Sequence, residues 1–435
     1  MSLLDDASLL VTPNAEKATK LYSIIPTNGN GDFSVTRATT ATRTNSSGLI
    51  ESVPINEPRL DYSLGSCPNI LLEPQRTNLA LRSEEFDNAS WVKTRVSVTA
   101  NSTTSPSGVV NADSLIEDTS TATHPMSVAF TAIASPYTVT IYAKANGRNW
   151  LNISFLSTAN ANAYFDLQNG VLGTIGAAST ATITSVGNGW YRCSMTATTA
   201  AGANTLAFYL ASSNNTLSYT GDGTSGLFLW GAQLEAGAYA TSYIPTTSAS
   251  VTRNADVISR SNIFTNGLIT ASGGTWFVDL IGNVSVTRDA SAGGIFLNIG
   301  VISQSGEGFT LRNLVANRFS VIKVISSSST NLFTLTTDAS KIAIKWNGTT
   351  ADVFVDGVKV VDATAFTPTA MENLRGEGQN RAIQFNSMAL FPTPLTDGEM
   401  SMLTSGVYTP ALAYAQLGLT SESPACLDSS VNALL

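Results

Sequence analysis

The run KIAIKWNGTTADVFVDGVKVV, from Lys341 to Val361, constrains the fold more than any other part of the sequence. It contains two turn dipeptides, Asn347-Gly348 and Asp356-Gly357, with β-favouring residues on all three sides. Both dipeptides favour type I′ turns, whose twist matches that of the strands they join. The run therefore predicts a three-stranded antiparallel meander.

Short strands with turn signals between them recur through most of the chain. Tyr137 to Ala145 alternates apolar residues with Thr and Lys, and Trp190 to Ala197 follows a Gly-Asn-Gly turn with Tyr191, Cys193 and Met195 on one face. The one helix signal is a capping box, Thr396-Asp-Gly-Glu399. This pattern predicts an all-β chain of antiparallel sandwiches and one short helix.

Tyr219 to Pro245 predicts a Gly-rich turn followed by a long strand that ends one domain. Simple alternation divides its residues between two largely apolar faces, so we expect an interior strand. One face carries Phe228, Trp230, Ala232 and Leu234, and the other carries Leu227, Leu229, Gly231 and Gln233. The linker that follows, Thr246 to Ser250, is short and poor in glycine, and it predicts two domains held at a restricted angle.

These signals divide the chain into four parts. Residues 1–80 are interrupted by prolines and predict an extended, loop-rich region without a core of its own, which packs on the rest of the chain or on another subunit. Residues 81–258 predict the first antiparallel β-sandwich, and residues 259–405 predict a second one, a jelly roll. Residues 406–435 form an Ala/Ser-rich tail.

Composition excludes several classes of protein. Only 12% of the residues are charged and the formal net charge is −8, so there is no basic cluster for nucleic acid and no polybasic membrane patch. The start of the chain is acidic where a signal peptide is basic, and no apolar run has the ~18 residues of a membrane helix. The three cysteines, Cys67, Cys193 and Cys426, lie too far apart for a disulfide framework or a zinc site. We therefore expect assembly in a cytoplasm.

Three stretches resemble parts of the structural and fibre proteins of tailed bacteriophages. They are PRLDYSLGSCPNILLEPQRTNLALRSEEFDNASW, then GWYRCSMTA with YTGDGTSGLFLWGAQLEAGAYATSYIPT, and finally the meander with its trailing LTDGEMSML. The resemblance implies that residues 81–258 are similar to a carbohydrate-binding module. It also implies that residues 259–405 are similar to a concanavalin A-like or laminin-G-like jelly roll.

In function, the resemblance implies a virion component of the head-fibre, tail-fibre or decoration type, assembled in the host cytoplasm. Residues 1–80 would anchor it to other virion proteins, and the chain would form a dimer or trimer. The projecting sandwiches would contact glycans of the host surface. A lectin-like surface protein and a fibre-borne polysaccharide depolymerase are the alternatives.

Glycan binding requires exposed aromatic rings, because the apolar face of a sugar packs on them. The candidates in the first sandwich are Trp91, Tyr142, Trp150 and Tyr164. Tyr142 lies on the Thr/Lys side of its strand, which makes it the candidate expected to be most exposed. Core packing is the alternative for each of them.

Carbohydrate-binding sandwiches often hold a structural calcium, and the resemblance suggests where one would lie. Glu84 or Glu85 matches the carboxylate near the first strand, and Asp222 and Glu235 are further oxygen donors. Gln233 stands where the pattern has Asp, which weakens the match. Alternatively, Asp222 belongs to a tight turn. No other cofactor is expected.

Catalysis is not expected from the sequence. His124 is the only histidine and precedes Pro125 in a predicted loop, so a Ser-His-Asp triad is not expected. Two carboxylates suffice for glycoside hydrolysis. Fibre depolymerases, however, usually lie on repeating β-helices, and the sequence has no such repeat. The sequence therefore predicts a protein that is not an enzyme.

Overall fold

The computed structural model describes residues 3–17, 19–270, 273–281, 295–302, 305–315, 318–325, 328–335, 340–368, 371–378 and 382–405. Strands dominate these ranges, which confirms the all-β class. Neither of the helices in the described ranges is long and apolar enough to cross a membrane. The predicted tail, residues 406–435, and Cys426 lie outside the described residues.

The elements follow one another in three groups. The first is α1 (Leu3–Asp6), β1 (Leu9–Lys17), β2 (Lys20–Ile25), β3 (Phe33–Thr36), β4 (Ala41–Thr44), β5 (Ile50–Val53), β6 (Leu60–Asp61), β7 (Asn69–Leu72) and β8 (Arg76–Asn78). The second is β9 (Val92–Lys93), β10 (Val96–Thr104), β11 (Val110–Glu117), β12 (Thr121–Ala132), β13 (Ser135–Asn146), β14 (Trp150–Phe155), β15 (Asn162–Asp166), β16 (Val171–Ile175), β17 (Ser179–Ser185), β18 (Tyr191–Thr199), β19 (Gly202–Ala211), β20 (Ser218–Thr220) and β21 (Gly226–Ala236). The third is β22 (Val251–Arg253), β23 (Val257–Ser261), β24 (Gly274–Ile281), β25 (Ile295–Ile302), β26 (Ser305–Val315), β27 (Arg318–Ile325), β28 (Ser328–Thr334), β29 (Ser340–Trp346), β30 (Thr350–Val355), β31 (Val358–Ala365), β32 (Asn373–Glu377), β33 (Ile383–Phe391) and α2 (Asp397–Ser405).

The second group folds into the first sandwich. Its inner sheet, named for its position against the rest of the chain, has the order β10-β11-β21-β13-β18-β17. Its outer sheet has the order β16-β15-β14-β19-β12-β20, with β9 beside β12. Alternate residues of both sheets fill one apolar core, which includes Val139, Ile141, Leu151, Ile153, Cys193, Phe208 and Leu229. Cys193 and Met195 share one face of β18, as predicted, and the structure shows that this face points into the core.

A β-bulge at Gly231 changes the faces of β21. Gly231 has φ +64°, and the pairing of β21 with β13 shifts at this point. Leu227 and Leu229 before the bulge, and Ala232 and Leu234 after it, all face the core. The faces predicted by simple alternation are therefore wrong, because a bulge inserts one residue into the period of two.

The third group and much of the first share one sheet of sixteen strands. Its order is β28-β27-β26-β25-β32-β23-β3-β2-β1-β33-β24-β29-β30-β31, with β6 and β7 beside β33. Strands far apart in this order meet across the core: the rings of Phe309 on β26 and Trp346 on β29 are 6.1 Å apart. The sheet thus curls over a single core and forms the second sandwich.

Residues 1–80 are an integral part of this second sandwich. β1, β2 and β3 stand in the middle of the order and join the β23 side of the sheet to the β33 side. Leu9, Leu21, Phe33 and Ile70 are buried in its core. Of the two packing partners that the sequence left open for this region, the structure shows the rest of the chain. The region has no separate core, because its apolar side chains complete that of the second sandwich.

The connection between the sandwiches is hydrogen-bonded on both sides. Thr246 is buried, its amide donates to Ser83 Oγ at 2.8 Å, and the amide of Ser83 donates to its carbonyl at 3.3 Å. β22 then pairs with β8, and β23 pairs with β3 and β32. The short linker is therefore fixed at Thr246 and again from Val251 onwards.

A buried ionic cluster lies beside this connection. Arg37 Nη1 contacts Asp256 at 2.8 Å, and Arg59 bridges Asp256 and Glu73, with 2.7 Å to Glu73 Oε2. Arg253 also pairs with Glu73. All five side chains are at most 5% exposed, so three arginines and two carboxylates, with a formal sum of one positive charge, lie together away from solvent. The cluster ties the N-terminal region to the segment after the first sandwich.

The predicted meander and helix are confirmed. β29, β30 and β31 pair in sequence, and Asp356 and Gly357 both have positive φ, as a type I′ turn requires. At the first turn only Gly348 has positive φ, and the Asn347 side chain accepts the amides of the next residues instead. The capping box also forms, since the amide of Thr396 donates to Glu399 Oε2 at 2.7 Å.

Candidate functional site

The outward face of the outer sheet carries a row of aromatic and polar side chains, largely covered by one another, which we call the outer platform. Tyr164 on β15, Asn152 on β14 and Tyr209 on β19 are direct neighbours across three strands. In the adjacent row Trp150 lies between Asp166 and Ala211. These residues alternate with core residues along each strand, so the sheet directs them outward together.

Asn152 gives the platform a polar centre. Its side chain is fully buried between its neighbours, and its Oδ1 accepts a hydrogen bond of 2.7 Å from Ser154 Oγ. Its Nδ2 has no hydrogen-bond partner. A buried amide N–H without an acceptor costs about 1–3 kcal/mol.

The two tyrosines frame this amide with hydroxyl groups. Burial raises the pKa of both Tyr164 and Tyr209 above 10, and proximity to Tyr209 raises that of Tyr164 further. Both phenols therefore stay protonated at neutral pH. Each can both donate to and accept from a sugar hydroxyl.

Trp150 forms one end of the platform and is partly exposed. β16 passes close over its ring, since a Cβ at Gly173 would lie 2.6 Å from Trp150 Cζ3 and 2.5 Å from Asn214 Oδ1. Only glycine permits this approach. The β15–β16 hairpin thus walls one side of the indole.

The four predicted glycan residues divide into two pairs. Trp150 and Tyr164 lie in adjacent rows on the outward face of the outer sheet, where Trp150 is partly exposed and Tyr164 is only 5% exposed. Trp91 is 1% exposed and packs in the core, with its ring 5.2 Å from that of Phe86. It cannot contact a glycan, because both faces of the indole are covered.

Tyr142 corrects the prediction of an exposed ring. It does point away from the sandwich core, but it is only 4% exposed because Trp230 and Tyr243 pack on it, with ring centroids 5.3 and 6.3 Å away. A second apolar cluster on the inner sheet therefore covers it. The segment after β21, which lies over that sheet, supplies Tyr243.

Asn152 and Tyr209 were missed from the sequence, although alternation could have found them. Tyr209 stands between Phe208 and Leu210, which are core residues, and Asn152 stands between Leu151 and Ile153. The period of two therefore turns both outward. The sequence does not show which outward residues share a row, because that depends on the pairing of β14 with β15 and β19.

The four calcium candidates do not form a site. Glu84 accepts from Asn111 Nδ2 and from the Tyr243 hydroxyl, both at 2.9 Å, and burial raises its pKa. Glu85 forms a surface ion pair, Asp222 accepts the amides of its own turn, and Glu235 accepts from Thr241. Within the described ranges no three His, Cys, Asp or Glu side chains come together as a metal site.

Gln233 has a structural role that a carboxylate could not fill. Its Oε1 accepts from the amide of Ile244 at 2.6 Å, and its Nε2 donates to the carbonyls of Thr241 and Ser242 at 3.3 Å. An aspartate has no donor when ionised. Gln233 therefore holds the segment after β21 against the inner sheet, where the resembled pattern has Asp.

His124 lies on a strand and not in a loop. It belongs to β12 and is fully buried, with its ring 4.8 Å from that of Tyr219 and its Nε2 3.3 Å from Asp118. The prediction of a loop was wrong, because Pro125 occupies a position in β12 that pairs with Tyr209.

Comparisons with known proteins do not assign this chain to a family. No family model matches it, and no curated protein matches it. Among solved structures, it is similar to a mutant Trypanosoma rangeli sialidase with trans-sialidase activity, at 11% identity and a TM-score of 0.24 over 30% of this chain and 22% of that one. It is also similar to fructan 1-exohydrolase IIa from Cichorium intybus, at 11% identity and a TM-score of 0.22 over 40% of this chain and 42% of that one.

These two structures belong to enzymes, so the expectation that the chain is not an enzyme is contradicted. The chain spans less than half of the length of either enzyme. At these TM-scores no activity and no catalytic residue is transferred from them.

Proposed function

We propose that the protein is a glycan-binding component of a bacteriophage virion, of the head-fibre, tail-fibre or decoration type. The outer platform is the proposed glycan-binding surface. The observation that carries the binding part is the row Tyr164–Asn152–Tyr209, in which a buried amide without a partner lies between two protonated phenols. Trp150 adds an apolar ring beside this row. Protein sites for sugars combine these features.

The virion part of the proposal rests on the sequence resemblance to phage fibre and structural proteins. Attachment to other virion proteins, through surfaces of residues 1–80, and assembly into a dimer or trimer belong to the same proposal. Several copies on one particle would also raise the avidity of a weak glycan site. Labelled antibody on intact particles tests the location, and particles without label would contradict it.

A glycan array with the full chain tests the binding part. Trp150→Ala and Tyr209→Ala should each weaken binding of a positive glycan roughly three- to tenfold, the range of one aromatic contact. The matched control is Tyr22→Ala, which alters a partly exposed tyrosine of the second sandwich. An array without positive glycans, or equal binding by all variants, would refute the platform. Reducing ends measured on each positive glycan separate binding from cleavage.

A further inference from the structure

A cleft lies on the opposite side of the first sandwich, between its inner sheet and the rest of the chain. It consists of an inner cavity of about 190 Å³ and an outer groove of about 770 Å³. The two share six lining residues: Thr44, Ile50, Ser63, Leu64, Tyr142 and Arg192. The groove lies within the ~300–1,000 Å³ range of small-molecule sites.

Arg192 is placed at the junction of the cavity and the groove. One Nη donates to the carbonyl of Thr241, while the buried Nε has no hydrogen-bond partner. Within the described part of the chain, no carboxylate lies within ion-pair distance of Arg192. A guanidinium with open donors is the protein group best suited to a carboxylate, which it binds with two parallel hydrogen bonds.

Tyr142 lies beside this guanidinium and supplies a second donor. Arg192 Cζ is 5.8 Å from the centroid of its ring. The Tyr142 side chain lines both the inner cavity and the outer groove. Burial raises the pKa of Tyr142, so the hydroxyl remains a donor at neutral pH.

The acidic side chains of the cavity are already engaged. Asp61 accepts from the amides of Thr44 and Ser63 at 2.8 and 3.0 Å, and from Gln384 Nε2 at 3.3 Å. Glu73 belongs to the ionic cluster, where two arginines neutralise it. Near the groove, therefore, no carboxylate of the described residues offsets the positive charge of Arg192.

The walls of the groove indicate the rest of the ligand. Thr182 and Thr184 on β17 and Ser63 opposite offer hydroxyls, while Ile50 and Leu64 offer apolar surface. This mixture suits a sugar ring, which has polar edges and apolar faces. We propose that the cleft binds a carboxylate-bearing sugar, with its carboxylate on Arg192 and Tyr142 and its ring in the groove. This site is separate from the outer platform and does not depend on it.

Calorimetric titration of the full chain with glucuronate, glucose and inorganic phosphate tests the proposal. Glucuronate should bind, and glucose should bind at least tenfold more weakly because it has no carboxylate. Phosphate that binds as well as glucuronate would overturn the sugar assignment. No binding of glucuronate up to roughly 10 mM would overturn the site itself.

Two kinds of variant locate the site. Arg192→Gln should weaken glucuronate binding about tenfold to a hundredfold, and the matched control Arg95→Gln, at an exposed position, should leave it unchanged. Thr184→Trp should block the groove without changing the core, and it should also weaken glucuronate binding. It therefore tests the site even if Arg192→Gln fails to fold. Trp150→Ala should have no effect. Wild-type affinity in both Arg192→Gln and Thr184→Trp would refute the cleft.

Discussion

Replacing Glu73 by Gln should destabilise the protein strongly while leaving its shape almost unchanged. Glu73 is 4% exposed and accepts from Arg59, Arg253, the Ser242 amide and the Ser242 hydroxyl. The substitution removes one of the two carboxylates that serve three buried arginines, and Arg253 then has no anionic partner in the cluster. Leaving a buried charge uncompensated costs about 3–5 kcal/mol.

Urea unfolding followed by tryptophan fluorescence measures this loss. With an m-value of roughly 3 kcal/mol/M, the midpoint should fall by about 1–2 M. Glu51→Gln is the matched control, because the Glu51 side chain is 37% exposed in its pair with Arg43 and such a pair is worth under about 1 kcal/mol. Equal midpoints for Glu73→Gln and Glu51→Gln would refute the reasoning.

The same cluster predicts the response to acid. Burial raises the pKa of Glu73, but Arg253 and Arg59 outweigh burial and hold the pKa well below its ordinary value of 4.5. A carboxylate with a lowered pKa stabilises the fold fully above its unfolded pKa, and this contribution is lost as the pH falls towards the folded pKa. Stability should therefore decline below about pH 4.5, and less so in Glu73→Gln.

Three further predictions concern other parts of the fold. Deleting residues 1–60 should abolish cooperative unfolding of the second sandwich, because β1–β3 join its two halves; a retained calorimetric transition for that sandwich would contradict this. Gly231→Ala should cost about 1–2 kcal/mol in urea unfolding, since φ is +64° and the new Cβ would lie 3.0 Å from Tyr142 Cδ2, and an unchanged midpoint would argue against the bulge. Cys193 should resist thiol reagents until the protein unfolds, because it is fully buried and burial raises its pKa, whereas rapid native labelling at Cys193 would contradict its place in the core.

The sequence predicts local structure well where one residue type decides it. Asp356-Gly357 specified a hairpin turn and Thr396 with Glu399 specified a helix start, since both depend on contacts within four residues. Alternation in β13 and β18 likewise gave the correct core faces. It failed at Gly231, because the sequence does not distinguish a bulge glycine from an ordinary strand glycine.

The features of the fold and of the candidate site that could not be predicted from the sequence depend on pairing between distant segments. Nothing local in residues 1–80 indicates that β1 pairs with β33, more than 370 residues later. The alternation within its own strand predicts that Tyr142 is exposed, but Tyr243 from another segment covers it. The outer platform also depends on register, since Tyr164 and Tyr209 meet only through Asn152 between them.

Indole NMR signals test the glycan-binding platform most directly. The chain has six tryptophans, of which Trp150 is partly exposed and the other five are at most 2% exposed. Titrating ¹⁵N-Trp-labelled protein with a glycan from the array should shift the indole signal of Trp150, which is assigned through Trp150→Phe. The signals of Trp190 and Trp230, on the side of the inner sheet, should not shift. A bound glycan that shifts Trp190 or Trp230 and leaves Trp150 unmoved would contradict the platform as the binding surface.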